Sequence, residues 1–187
     1  YIEVRIERYI DLTVGQLVDK IADIQPDKEA LISHDGNIRY SYREFQKMSD
    51  MLAKGLLSAG VEKDDKVAIW STNSLEAVIS QFGISKTGAV AVPLNPYEKK
   101  IRMETFLKQS DATTLIMKAG VKGIENIKML YEICPELKTC KPGALSSKKL
   151  PMLKTVILVG DTKYPGTYKW AEFLEIGGAL ADTILSE

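Results

Sequence analysis

Few side chains in this chain are of a kind that does chemistry. A single histidine, His34, cannot by itself supply an imidazole metal site or a Ser-His-Asp relay. It lies in Ser33-His-Asp-Gly-Asn37, where Asp35-Gly36 favours a hairpin turn, so it reads as a solvated turn residue. Cys134 and Cys140 flank a proline at a spacing that fits neither C-x-x-C redox chemistry nor a zinc site. There is no G-x-S-x-G, no G-x-x-x-x-G-K-[ST], no G-x-G-x-x-G, and no Thr/Ser/Gly-rich loop ending in Pro-Lys. Asn73 has two readings. It follows the apolar run from Lys66 to Ser71, at the carboxyl end of a strand, where parallel sheets bind ligands. It also precedes Glu76 by three residues, a capping-box spacing that needs no ligand, and the cap is the simpler reading. Taken alone, these residues support no catalytic mechanism.

The elements that would position such residues follow from periodicity. Ile2, Val4 and Ile6 alternate with charges, as in a short exposed strand. Thr13 and Gln16, then Ser41 and Glu44, have capping-box spacing, and each pair opens an amphipathic run; Pro26 ends the first and Gly60 closes the second. Between them, Ala30–Ile32 and Ile38–Tyr40 predict a hairpin. Thereafter the runs 66–70, 89–94, 113–117 and 155–159 are apolar without alternation. Helical periods separate them, with apolar faces at Leu75/Val78/Ile79/Phe82, Met103/Phe106/Leu107 and Ile124/Ile127/Tyr131, and a short helix is expected near Tyr168–Glu175. Buried strands alternating with helices predict an α/β fold. Its sheet is mostly parallel with helices on both faces, the hairpin lies outside it, and Pro93 sits toward an edge.

The stretch from Cys134 to Pro151 has no period; loops of that length are usually functional or mobile. Its four lysines read first as solvated surface, with a phosphate site as the weaker alternative. Across all 187 residues, 25 basic and 25 acidic side chains cancel, so no whole-molecule field recruits nucleic acid or an anionic membrane. No run is apolar enough to span a bilayer, and the expected location is the cytoplasm. Residues 1–12 read as an amino-terminal extension and 13–187 as one α/β unit.

Several stretches together resemble a known family. Ile38-Arg-Tyr-Ser-Tyr-Arg-Glu-Phe45 is similar to the first core motif of the AMP-forming adenylating enzymes, which include acyl-CoA synthetases, luciferases and peptide-synthetase adenylation domains. Gly83-Ile-Ser-Lys-Thr-Gly-Ala-Val-Ala-Val-Pro-Leu-Asn95 resembles the second, in the form used by fatty acyl-CoA synthetases. Leu52–Leu56, Gly60-Val61 and Lys66–Ser74 match in order and spacing. Ile133–Leu137, Pro142-Gly143 and Leu150–Ile157 are similar to the medium-chain branch.

The resemblance implies the amino-terminal subdomain of a two-step ligase. ATP and a fatty carboxylate give an acyl-adenylate and pyrophosphate, then the coenzyme A thiol displaces AMP, with Mg²⁺ offsetting phosphate charge. It places the phosphate loop, most of the acyl pocket and the catalytic lysine beyond Glu187. No catalytic residue is therefore expected here, and none of ATP, Mg²⁺ or coenzyme A is expected to be held by this portion. Asn73, Asn95, Tyr97 and Lys99 are the weak candidates for a substrate or coenzyme A rim, with helix-start roles the better explanation of each. Departures from the family pattern fall at Ala77 (usually Trp), at Asp64 (usually Gly before Asp), and at Arg102-Met103 (usually Glu-Leu). The rest of the synthetase chain is the expected partner, and self-association through a bare sheet face or edge is expected without it. The alternatives are a free-standing, non-catalytic α/β binding module derived from the same fold and, more remotely, a flavodoxin-like nucleotide binder.

Overall fold

The computed structural model describes residues 11–33 and 38–185. The expected strand at 2–6 and the turn containing His34 lie outside these residues. Local signals set the first two helices. Thr13 caps α1 (Val14–Ile24) and Ser41 caps α2 (Tyr42–Ser58), each in a complete capping box with Gln16 and Glu44. At the end of α2 the Gly60 N–H donates to the Leu57 carbonyl and the Val61 N–H to the Leu56 carbonyl, both at 3.0 Å. That Schellman closure needs a left-handed residue, and Gly60 supplies it at φ +84°. Between the helices, β1 (Glu29–Ser33) and β2 (Ile38–Ser41) pair antiparallel, with Ile32 opposite Arg39.

The remaining strands are β3 (Lys66–Trp70), β4 (Val90–Leu94), β5 (Thr114–Lys118), β6 (Thr155–Val159) and β7 (Tyr168–Lys169). They form one parallel sheet in the order β4-β3-β5-β6-β7, so the four expected runs are neighbours. Strand β4 is an edge, consistent with Pro93, whose missing N–H costs nothing there. Alternate residues face opposite ways. Ala68, Trp70, Leu115, Met117, Val156 and Leu158 pack against α4 (Lys100–Gln109) and α5 (Asn126–Ile133). Val67, Ile69, Ile116 and Ile157 pack against α1, α2, α3 (Leu75–Lys86) and α6 (Trp170–Gly178). Both faces of the central strands are thus covered within the chain, which removes a bare face as a cause of association and leaves β4 as an open edge with Val90 exposed. Among the described residues no helix is long and apolar enough to cross a membrane.

Four local expectations are corrected. Helix α3 is capped by Ser74, whose Oγ accepts the Ala77 N–H at 3.3 Å, and Asn73 is not its cap. Helix α5 begins at Asn126, because Ile124 closes a tight turn with Val121 through two 2.9 Å backbone bonds. Tyr168 and Lys169 are a strand beside Ile157 and Leu158, so the last helix starts at Trp170. The aperiodic stretch after Cys134 is a packed strap. It opens with a 3₁₀ turn (Pro135–Lys138), and Leu137, Leu145, Leu150 and Leu153 are buried over the α4/α5 face of the sheet.

On the opposite face, buried charges tie the helices together. The Lys86 ammonium pairs with Asp19 on α1 and Asp50 on α2, and Gln46 donates to the same Asp19 oxygen at 2.8 Å. Lys54, also buried, donates to the Leu180 carbonyl at 3.0 Å and to Asp182 at 2.9 Å, anchoring the segment that follows α6.

Candidate functional site

Strand β3 sits between β4 and β5, so the chain leaves it first toward one side of the sheet and later returns on the other. The loops at the carboxyl ends of these strands diverge, and open α/β sheets bind ligands in the crevice at such a switch point. A cleft of about 560 Å³ lies there. Ser71, Thr72 and Asn73 line it from the loop after β3, Pro96 and Tyr97 from the loop after β4, and Lys118, Gly120, Val121 and Lys122 from β5 and its turn.

The four residues singled out in the sequence separate into two pairs. Asn73 and Tyr97 face the cleft. Asn95 is held in a local turn: its Oδ1 accepts the Tyr97 N–H at 3.0 Å and its Nδ2 donates to Glu98 at 3.4 Å. It shapes the backbone that presents Tyr97 but does not line the cleft. Lys99 is exposed at the start of α4 without a side-chain capping bond, and it too is off the lining.

Sequence reasoning missed Lys118 and Lys122. The signal was available, because the rule applied to the end of β3 applies equally to the end of β5. Lys118 ends β5 and is half-buried; Lys122 sits on the tight turn and is exposed. Its Nζ lies 5.9 Å from the centroid of the Tyr97 ring. No carboxylate lines the cleft, so its two ammonium groups leave it positive. Lys122 also adopts φ +47°, followed by Gly123 at +81°, the mirror-image turn that usually carries Asn-Gly. A lysine there sacrifices local stability in favour of charge at the tip.

These groups can hold an anion beside an aromatic plate and offer hydroxyl and amide groups along the rim. They do not form a nucleophile–base pair. Among the described residues no cluster of three His, Cys, Asp or Glu side chains could hold a metal ion. The two thiols lie elsewhere. Cys134 is fully buried under α5 and its pKa is pushed up to about 12, chiefly by loss of hydration, which makes it a core residue.

Residues 18–171 match the family described as AMP-binding enzyme. YngI of Bacillus subtilis (strain 168), provisionally named an acyl-CoA synthetase, is 37% identical over 95% of this chain and 32% of its own. The mitochondrial medium-chain acyl-CoA ligase ACSF2 of Bos taurus is 36% identical over 88% of this chain and 27% of its own. Among solved structures, the anthranilate CoA ligase AuaEII, in complex with anthranoyl-AMP, superposes with a TM-score of 0.73 at 22% identity. That match covers 88% of this chain and 28% of that one. The chain therefore spans about a third or less of the length of the relatives it matches.

Proposed function

We propose, from the premise that the chain belongs to the AMP-binding enzyme family, that it is the amino-terminal part of an AMP-forming fatty acid–CoA ligase. Contrary to the expectation from the resemblance that this portion holds no coenzyme A, its switch-point cleft takes a phosphorylated part of that molecule. The observation that carries this reading is the cleft's composition: two lysines, an aromatic ring and a polar rim, with no carboxylate. A phosphate neutralises the ammonium pair of Lys118 and Lys122, a heteroaromatic base stacks on Tyr97, and Asn73, Ser71 and Thr72 supply hydrogen bonds to sugar or amide oxygens. Asn95 positions the Tyr97 loop, and Lys99 adds positive charge outside the rim.

Bound ATP and Mg²⁺ supply the leaving group and the charge neutralisation of the first step. This chain offers no Gly-rich cradle and no carboxylate cluster among its described residues to fit them. Its own work in the reaction is binding and orientation, and it is inactive alone. The small share of each relative that the chain spans supports the same reading over a free-standing module.

Calorimetric titration of the chain with coenzyme A tests the cleft. Binding is expected, and Lys122→Gly should weaken it about tenfold, the worth of one charge-assisted hydrogen bond, without loss of stability. Glycine suits the turn's φ, so a weakened variant that is still folded isolates the charge. No binding, or binding indifferent to Lys122, refutes the cleft. Carboxylate-dependent ATP–pyrophosphate exchange with medium- or long-chain fatty acids should stay at background; exchange by the pure chain refutes the inactivity.

A further inference from the structure

The molecule's zero net charge conceals an uneven distribution of charge along the chain. Residues 134–154 hold five lysines and one glutamate, with no arginine or aspartate. The strap doubles back on itself: the Glu136 carboxylate accepts the Lys148 N–H at 3.3 Å, the Leu145 N–H donates to Lys154 at 3.1 Å, and the Ala144 N–H donates to Lys141 at 3.1 Å. The single acid is turned inward, one oxygen taken by that bond and the other closed off from solvent. The lysines face outward. Lys138, Lys141, Lys148 and Lys154 are exposed and pair with no carboxylate among the described residues. Beside them Pro151 and Met152 protrude, Met152 with 47% of its surface exposed; Asp111 stands next to these two, and the fifth lysine, Lys149, is paired with Glu104 at 3.1 Å.

We infer that this strap is a docking surface for an anionic lipid bilayer, a property independent of the ligase reading. Three features favour a membrane over an acidic protein or a discrete phosphate. The charges are all lysines, which attract a diffuse negative surface without the bidentate geometry that selects individual anions. They stand on the outer face of a packed strap, and their long apolar stems and the Met152 side chain can enter the headgroup layer while the ammonium groups stay hydrated. Finally, the buried Leu137, Leu145, Leu150 and Leu153 already fix the backbone, so little ordering entropy is lost on contact.

Co-sedimentation of the chain with vesicles tests this. Binding is expected to vesicles of phosphatidylcholine with roughly 30 mol % phosphatidylserine, and not to phosphatidylcholine alone, with release as salt shortens the Debye length. Each surface lysine is worth about 1 kcal/mol at such a membrane, so each of Lys141→Gln and Lys148→Gln should weaken partitioning about fivefold. The Arg versions of both should restore it, and Lys20→Gln with Lys28→Gln, away from the strap, should leave it unchanged. The proposal is overturned by failure to sediment with the anionic vesicles, by equal binding to neutral ones, or by a Gln double variant that binds like the parent. Capture by an immobilised acidic peptide but not by the vesicles assigns the strap to a protein partner instead.

Discussion

Replacing Lys86 with methionine should destabilise the protein in a pH-dependent way, and the structure sets the size and sign of the effect. The lysine stem packs against Gly15, where a Cβ would come within 2.8 Å of Lys86 Cγ, and methionine keeps most of that stem. What is lost is the ammonium group, whose side chain is 6% exposed and which faces Asp19 at 42% and Asp50 at 26%. Breaking a fully buried pair costs about 3–5 kcal/mol. Both carboxylates retain some water, Asp19 most of all, so the expected cost at neutral pH is nearer ~2 kcal/mol. For a chain of this size that lowers the melting temperature by about 4–8 °C.

Burial raises the Asp50 pKa above its usual 3.8. The hydrogen bond and charge of Lys86 oppose that rise, Asp19 adds to it, and Lys54 opposes it weakly. A carboxyl whose folded pKa lies above its unfolded one binds more protons when folded. Its contribution to stability is therefore greatest below 3.8 and falls as pH rises through the raised value. Removing Lys86 removes the main opposing influence and extends that window upward. The difference in unfolding free energy between parent and variant should be small near about pH 4 and grow toward neutrality. Urea denaturation followed by circular dichroism across that range measures it. Asp50→Asn on the Lys86→Met background should abolish most of the pH dependence. A cost that is flat with pH, or a pH dependence that survives Asp50→Asn, refutes the reasoning.

Four further substitutions probe the fold. Asp64 is exposed at φ +68°, at the position where the family pattern has glycine. Asp64→Gly should therefore stabilise by about 0.5–1 kcal/mol in thermal melts, whereas Asp65→Gly should destabilise, because Asp65 accepts the Glu62 N–H at 3.0 Å. Leu150→Ala in the strap should cost about 3 kcal/mol in urea titrations, since the side chain is 2% exposed within the core; a cost below about 1 kcal/mol would mean that the strap only drapes the surface. Gly177→Ala should cost about 3 kcal/mol or more, because its Cβ would lie 1.8 Å from the Met51 carbonyl oxygen and 2.8 Å from the Gly55 nitrogen, forcing α6 off α2; expression of a variant with unchanged melting would refute that close approach.

What could be read from the sequence divides along the range of the interactions involved. The boxes at Thr13/Gln16 and Ser41/Glu44 were legible because both partners lie within one helical turn. The apolar runs were legible because a strand covered on both faces leaves no polar side to alternate. Asn73/Glu76 has the same spacing as those boxes, yet Ser74 took the cap. Two adjacent residues both suited to capping compete, and the winner depends on how the chain leaves β3, which is not local. Strand β7 is two residues long, held by pairing with β6, and carries no pattern of its own. The strap leucines at 137, 145, 150 and 153 follow no helical or strand period because nothing periodic positions them; they are placed one by one over a sheet face made elsewhere in the chain.

The candidate site extends that logic by one step. Asn73 and Tyr97 could be named because each follows a recognisable strand, and the family resemblance drew attention to both. Lys118 and Lys122 follow an equally recognisable strand, but their relevance depends on β5 lying beside β3 on the side away from β4. An order of β3-β4-β5 would have been just as compatible with the apolar runs, and it would have removed the switch point from beside β3. Strand order is decided by which helices cover which face: α3 packs on one side and α4 on the other, so successive crossovers diverge. The positive charge of the cleft is therefore a property of topology. It arises where the end of β5 and its turn, with their two lysines, are brought opposite the aromatic loop after β4, across the polar loop after β3.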